Sequence, residues 1–145
     1  MYIKQISIYL ENVKGSLREL AQHLGENNIN LLAMSVADTS GFGIVRCIVK
    51  SAEIEPAMEA LKNGGYVAKT NNVICMRIPH KPCGLADALK VLEDNDISVE
   101  YTYSFCRSTL DDAVLILRPS DKDKGVKAFA ECGISMISQE EVDSF

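Results

Sequence analysis

The chain has 145 residues, 47% of them hydrophobic and 24% charged, so it can build a core and lacks the bias of a disordered segment. Its longest purely apolar runs, such as Ala113 to Leu117, fall far short of the roughly 20 residues that cross a bilayer, so no membrane helix is expected. A net charge of -5, with 15 Lys and Arg scattered and no basic stripe, argues against nucleic acid as a partner.

The opening residues Met1-Tyr2-Ile3-Lys4-Gln5 alternate apolar and polar types and lack the basic and apolar blocks of a signal peptide. The five cysteines, Cys47, Cys75, Cys83, Cys106 and Cys132, are odd in number and mostly sit in apolar segments, which reads as reduced, packed thiols. A cytoplasmic location is expected.

The first element is a strand, because Ile6, Ile8 and Leu10 recur every second residue. Leu17, Leu20, Ala21 and Leu24 follow at the i, i+3, i+4, i+7 spacing of a helix. Asn27-Asn28 ends that helix with residues that tolerate a left-handed exit. Strands over about 29–38 and 43–50 come next, joined at Thr39-Ser40-Gly41, a credible turn. Ile54, Ala57, Met58 and Leu61 mark a second helix with Ser51 as a cap near its start. Gly64-Gly65 stops it before a short strand, Tyr66-Val67-Ala68.

The same order then repeats. Ile74, Met76 and Ile78 form a strand, and Leu85, Ala88, Leu89 and Leu92 a helix that exits at Asn95-Asp96. Strands over 97–106 and 111–118 follow, then a helix on Val126, Phe129 and Ala130 weakened by Gly125. Gly133 ends that helix before Ile134-Ser135-Met136-Ile137, read as a last short strand. Setting Leu17 on Leu85, 68 residues on, aligns Ile6 with Ile74, Leu24 with Leu92, Ile29 with Ile97, Ile48 with Ile116 and Gly65 with Gly133 without a gap. Two domains are therefore expected, 1–70 and 71–145, of class α+β. Each is a βαββαβ module with a four-stranded antiparallel sheet and both helices on one face, the ferredoxin-like arrangement. Hairpin strands apolar on both parities, such as Val45, Cys47 and Val49 against Ile44 and Ile48, call for cover beyond the module's own helices. A module of about 70 residues buries only roughly 60% of its unfolded surface, so domain pairing and a homodimer are expected.

The segment Glu11-Asn12-Val13-Lys14-Gly15-Ser16-Leu17, with Asn28-Ile29-Asn30-Leu31 after the helix, resembles the ACT family of amino-acid-sensing regulatory domains. That family's pattern is an acidic residue or Asn, then Pro-Gly, an aliphatic helix and an Asn-Ile at the next strand. The second copy has His80-Lys81-Pro82-Cys83-Gly84-Leu85 and Asp96-Ile97-Ser98-Val99 in the same places. Lys14 stands where the family has Pro, and Cys83 occupies the Gly column with Gly84 one residue late, which is expected to reshape the second loop. The resemblance implies a stand-alone sensor without catalysis or cofactor, which binds a small amino acid and modulates a partner metabolic enzyme. The ligand would lie between paired domains, on Asn12 to Leu17 or His80 to Leu85 of one and Asn30-Leu31 or Ser98-Val99 of another. Unpaired N–H groups at a helix start suit a carboxylate, Gly lets a ligand approach the backbone, and Asn12 offers both a carbonyl and an NH₂.

Other readings stand beside this one. Asn12 and Gly15 are equally consistent with a plain turn, which leaves a ligand-free dimerisation module. His80 and Cys83, three apart, could form a nucleophile pair, but no further catalytic motif accompanies them. A metal site from His80, Cys83, Cys75 and Cys106 lacks a C-x-x-C pair. Tyr101, Tyr103 and Phe105 alternate along a strand and read as packing surface, His23 as a residue on the flank of its helix, and Gln139 to Asp143 as a solvated short helix or frayed end.

Overall fold

The computed structural model describes residues 1–38, 41–105 and 112–145. The chain divides into two compact units, one of Lys4–Asn71 and one of Asn72–Ser144 together with Met1–Ile3. No helix among the described residues is long and apolar enough to cross a membrane.

In the first unit β1 (Ile3–Glu11) leads into α1 (Ser16–Glu26), β2 (Ala33–Asp38), β3 (Phe42–Ile48) and α2 (Ser51–Asn63). β1 and β2 both pair antiparallel with β3, with Ile6 opposite Cys47 and Met34 opposite Cys47. The order is β2-β3-β1, and β4 (Val67–Pro79) is the next neighbour of β1. Asn71, in the part of β4 that belongs to this unit, donates to Ser7 Oγ at 2.9 Å. Ile6, Ile8, Val45, Cys47 and Val49 pack one sheet face against Leu20 and Leu24 of α1 and Ala57 and Leu61 of α2.

In the second unit β4 is followed by α3 (Gly84–Glu93), β5 (Val99–Ser104), β6 (Asp112–Pro119), α4 (Lys122–Glu131) and α5 (Gln139–Asp143), in the strand order β4-β6-β5. Ile74, Met76, Ile78 and Leu117 face Ala88 and Leu92 of α3 and Ala128 and Phe129 of α4. Gly125, the residue that weakened the α4 pattern, is buried, and a Cβ there would lie 3.1 Å from Pro119 Cγ. The glycine gives up helix propensity so that α4 can sit close to the end of β6.

The helices run as the apolar spacing predicts, and α1 to α4 all stop the same way. Ile29, Tyr66, Ile97 and Ile134 donate their N–H groups to the carbonyls of Leu24, Leu61, Leu92 and Phe129, five residues back, at 2.9–3.0 Å. The residues just before them, Asn28, Gly65, Asp96 and Gly133, hold φ of 57, 78, 55 and 71°. These are Schellman ends, and the two residues each long hydrogen bond joins belong to the same apolar cluster.

Four expectations are corrected. First, the last strand of copy one and the first of copy two are one 13-residue strand, β4, because no Gly or Pro breaks the chain between Val67 and Arg77. Second, the gapless repeat fails in the hairpin of copy two. Ile74 pairs with Leu117 as Ile6 pairs with Cys47, so Leu117 rather than Leu115 is the counterpart of Cys47, 70 residues on instead of 68. Two residues are gained between β5 and β6 and given back within α4, which has 10 residues against 13 in α2. An even shift keeps every side chain on its face, so the alternation hides it.

Third, Ile134 to Ile137 form no strand. Only a single bridge links Met136 to Met76, flanked by Arg77 N–H to Ser135 O and Ile137 N–H to Cys75 O, both 2.8 Å, before Ser138 starts α5. Fourth, the acidic end is a short helix but neither frayed nor wholly solvated. Ser138 accepts from the Glu141 N–H while the Glu141 carboxylate accepts from the Ser138 N–H. Val142 is fully buried and Glu141 lies 3.8 Å from Arg77, on the sheet face turned away from α3 and α4. Cys75, Ile116 and Phe105 are buried on that same face, and the Tyr101 and Tyr103 rings stack at 6.5 Å beside them. Ser51 is the first residue of α2, and Lys50, without a side-chain cap bond, holds the N-cap position. The turn residues Thr39 and Ser40, and Cys106, lie outside the described residues.

Burial pushes the Cys47 and Cys75 thiols from 9.0 up to about 12. Unfolding exposes them to ordinary values, so the unfolded chain releases protons first as the pH rises. Their contribution to stability should be full below pH 9 and fall progressively from there toward pH 12, seen as a falling denaturation midpoint that Cys47→Ala and Cys75→Ala flatten. Peptide mapping after brief treatment with a thiol reagent at neutral pH should find Cys83 and Cys132, both exposed, modified and Cys47 and Cys75 spared.

Candidate functional site

The two loops that carry the sequence motif have one backbone. Val13 N–H bonds to Glu11 O at 2.9 Å and Lys81 N–H to Pro79 O at 2.9 Å; Ser16 N–H bonds to Val13 O at 3.3 Å and Gly84 N–H to Lys81 O at 3.1 Å. Each loop ends on a left-handed N-cap, Gly15 at φ 95° and Cys83 at φ 68°. The expectation that the late Gly84 reshapes the second loop is therefore wrong. Cys83 adopts the left-handed conformation itself, at a cost of about 1–2 kcal/mol for a residue with a Cβ.

Gly84 answers a different need. A Cβ on it would lie 2.2 Å from the Pro79 carbonyl oxygen, so the start of α3 touches the end of β4 in a way that Ser16, with its own Cβ, does not allow in copy one. Neither Gly15 nor Cys83 supplies a side-chain cap, in contrast to Asp121, which accepts from Lys124 N–H, and Ser138. The starts of α1 and α3 thus keep N–H groups and a positive dipole end directed at the loop.

A cavity adjoins each loop. The first, about 410 Å³, is lined by Tyr9, Leu10, Glu11, Val13, Ser16, Glu19, Gly65, Tyr66 and Val67. The second, about 560 Å³, has Arg77, Ile78, Pro79, Gly84, Asp87, Gly133, Ile134 and Ser135 in the corresponding places, and extends further along Ala88, Val91, Asp112 and Cys132. Each lies between the end of the first strand, the start of the first helix and the Schellman end of the second helix.

Of the residues named from sequence, Val13, Ser16 and Gly84 line these cavities. Asn12, Lys14 and Gly15, and His80, Lys81, Pro82 and Cys83, form the exposed loops beside them, and Leu17 and Leu85 lie exposed in the first turns of α1 and α3. Asn30-Leu31 and Ser98-Val99 are not brought to the loop of their own copy. They follow the far ends of α1 and α3, and the 11 residues of α1 alone span about 16 Å. The cavity walls that sequence reading missed, Gly65 to Val67 and Gly133 to Ser135, had a signal in the matched glycines, but those were read only as helix stops. Among the described residues no group of three or more His, Cys, Asp or Glu could hold a metal ion. His23 does more than flank its helix: its Nε2 meets the Ala60 carbonyl at 2.7 Å and its ring lies 5.6 Å from that of Tyr66.

A sequence model of the ACT domain pair matches residues 1–145. The chain belongs to the ACT domain pair family. Protein BT0572 from Bacteroides thetaiotaomicron is similar at 32% identity, with 100% of this chain and 98% of that one covered and a TM-score of 0.89. The regulatory subunit of aspartate kinase from Thermus thermophilus, in a ligand-free form, is similar in fold at 16% identity and TM-score 0.65, covering 88% of this chain and 91% of its own. That of Thermus flavus, also at 16% identity, gives 0.63 with 90% and 92% covered. No curated protein matches by sequence. This ACT domain pair is thus α+β, with two ferredoxin-like βαββαβ modules.

Three substitutions separate the backbone requirements of its loops. Cys83→Gly should raise stability by about 0.5–1 kcal/mol, because it relieves the left-handed strain, whereas Gly15→Ala should lower it by about 1 kcal/mol. Gly84→Ala should cost at least about 2 kcal/mol, since its Cβ meets main chain rather than a flexible side chain. Urea midpoints at constant slope measure all three.

Proposed function

We propose that this ACT domain pair is a non-catalytic, cytoplasmic sensor that binds a free amino acid at the loops before α1 and α3 and modulates a partner metabolic enzyme. The observation that carries the reading is the retained loop: an uncapped helix start behind a left-handed residue, with a cavity beside it, in both copies. Main-chain N–H groups there suit the ligand carboxylate, and Asn12 in copy one suits either end of the zwitterion. The segments Asn30-Leu31 and Ser98-Val99 complete the site from a paired module in a homodimer. Ligand binding favours one mode of pairing over another, and the partner enzyme responds to that difference. Regulatory subunits of aspartate kinase, similar in fold, carry a role of this kind in their names.

A thermal-shift screen of the intact chain against the twenty common amino acids tests this. A ligand at one hundred times its Kd should stabilise the fold by about 2.7 kcal/mol, and the midpoint should climb with concentration. A flat response to all twenty would leave a ligand-free dimerisation module, whose mass on a sizing column would still be that of a dimer.

A further inference from the structure

The two cavities occupy the same place in their copies, yet their floors differ. In copy one the floor is filled. Neither Leu20, which is buried, nor His23, which is pinned between the Ala60 carbonyl and the Tyr66 ring, lines the cavity. Gly64 makes room for that imidazole, since a Cβ there would lie 2.6 Å from His23 Nε2. In copy two the same positions hold Ala88, Val91, Ile134 and Cys132. Leu to Ala, His to Val and Tyr to Ile each remove volume while Gly to Cys adds some, and the second cavity measures about 560 Å³ against 410 Å³.

Resting on the sensor reading, we propose that the copy-two cavity receives the side chain of an α-amino acid with a compact aliphatic side chain, and that the copy-one cavity does not. The side chains of Ile78, Ala88, Val91 and Ile134 in its lining offer only carbon, so a charged or hydroxyl-bearing side chain placed against them loses its hydration without a partner. Asp87, Asp112 and Arg77 also belong to its lining, and the two carboxylates suit the ammonium of a zwitterion. Its carboxylate then falls toward the start of α3, where Gly84 lets a ligand approach the main chain. Arg77 is instead held 3.8 Å from Glu141. The first cavity, with Glu11 and Glu19 as its charged lining, offers an ammonium partner, but its lining has no counterpart of Ala88 and Val91 to receive an aliphatic group.

The test is calorimetry and thermal shift on the intact chain with valine, leucine, isoleucine and methionine against aspartate, lysine and serine. Saturating aliphatic ligand should raise the midpoint by roughly 5 °C. Val91→His, which transplants the first copy's residue into the second, should weaken that ligand at least about tenfold, and Asp112→Asn should weaken it without touching the floor. If Val91→His fails to fold, Asp112→Asn decides alone. Stabilisation only by charged or hydroxyl amino acids, or unchanged aliphatic affinity in a folded Val91→His and in Asp112→Asn, overturns the proposal and leaves amino-acid sensing standing. Absence of a response to any amino acid removes both.

Discussion

Each copy of this fold depends on stopping a helix and turning the chain back into the sheet within two residues. The Schellman end does this four times. A left-handed residue reverses the chain, and the next residue, Ile29, Tyr66, Ile97 or Ile134, joins the apolar cluster of the residue its N–H group reaches back to. Burying such a side chain is worth about 1.5–3 kcal/mol, which exceeds the cost of the left-handed turn, and that cost is small for the Gly, Asn and Asp used here. Two of these ends, at Gly65 and Gly133, also form the back wall of the cavities, so the element that closes the core positions the site.

That dependence explains what could be read from the amino-acid order. Asn28, Gly65, Asp96 and Gly133 are residue types whose backbone freedom is visible in sequence, and the apolar stripes of the helices have a period no strand shares. Element type and order followed from those two signals. The failures came where neither operates. Nothing in Lys69 to Asn72 marks a boundary or its absence, so the continuity of β4 was invisible. Period-two alternation is blind to an even shift, so Leu117 passed for the counterpart of Val49 when it pairs as Cys47 does. Val142 looked solvated because four polar or acidic residues surround it, yet its burial depends on a sheet face that only the tertiary structure supplies.

The site divides along the same line. Its main-chain component was legible, since a Gly after the first strand and an aliphatic helix behind it form a local pattern. The cavity floor was not, because Leu20, His23 and Tyr66 converge from two helices and the turn after the second, at separations no local pattern records. Cys83 misled for a related reason. Residue type predicts backbone conformation only where the alternatives cost more than the surroundings can supply, and here a cysteine is held left-handed by a loop whose hydrogen bonds match those of copy one.

Duplication has therefore kept one property and released another. Among the described residues the six left-handed ones fall into three pairs 68 apart, Gly15 with Cys83, Asn28 with Asp96 and Gly65 with Gly133, although only one pair is identical in type. Backbone geometry at these points is held because each closes a connection on which the sheet and helices depend. Side chains on the cavity floor carry no such constraint, provided the volume around them stays compatible. His23 requires Gly64, and where Val91 replaces the imidazole the opposing position is Cys132. The floors have changed as sets of touching residues while the loops above them kept their hydrogen bonds, which is the condition under which two copies of one module come to hold different ligands.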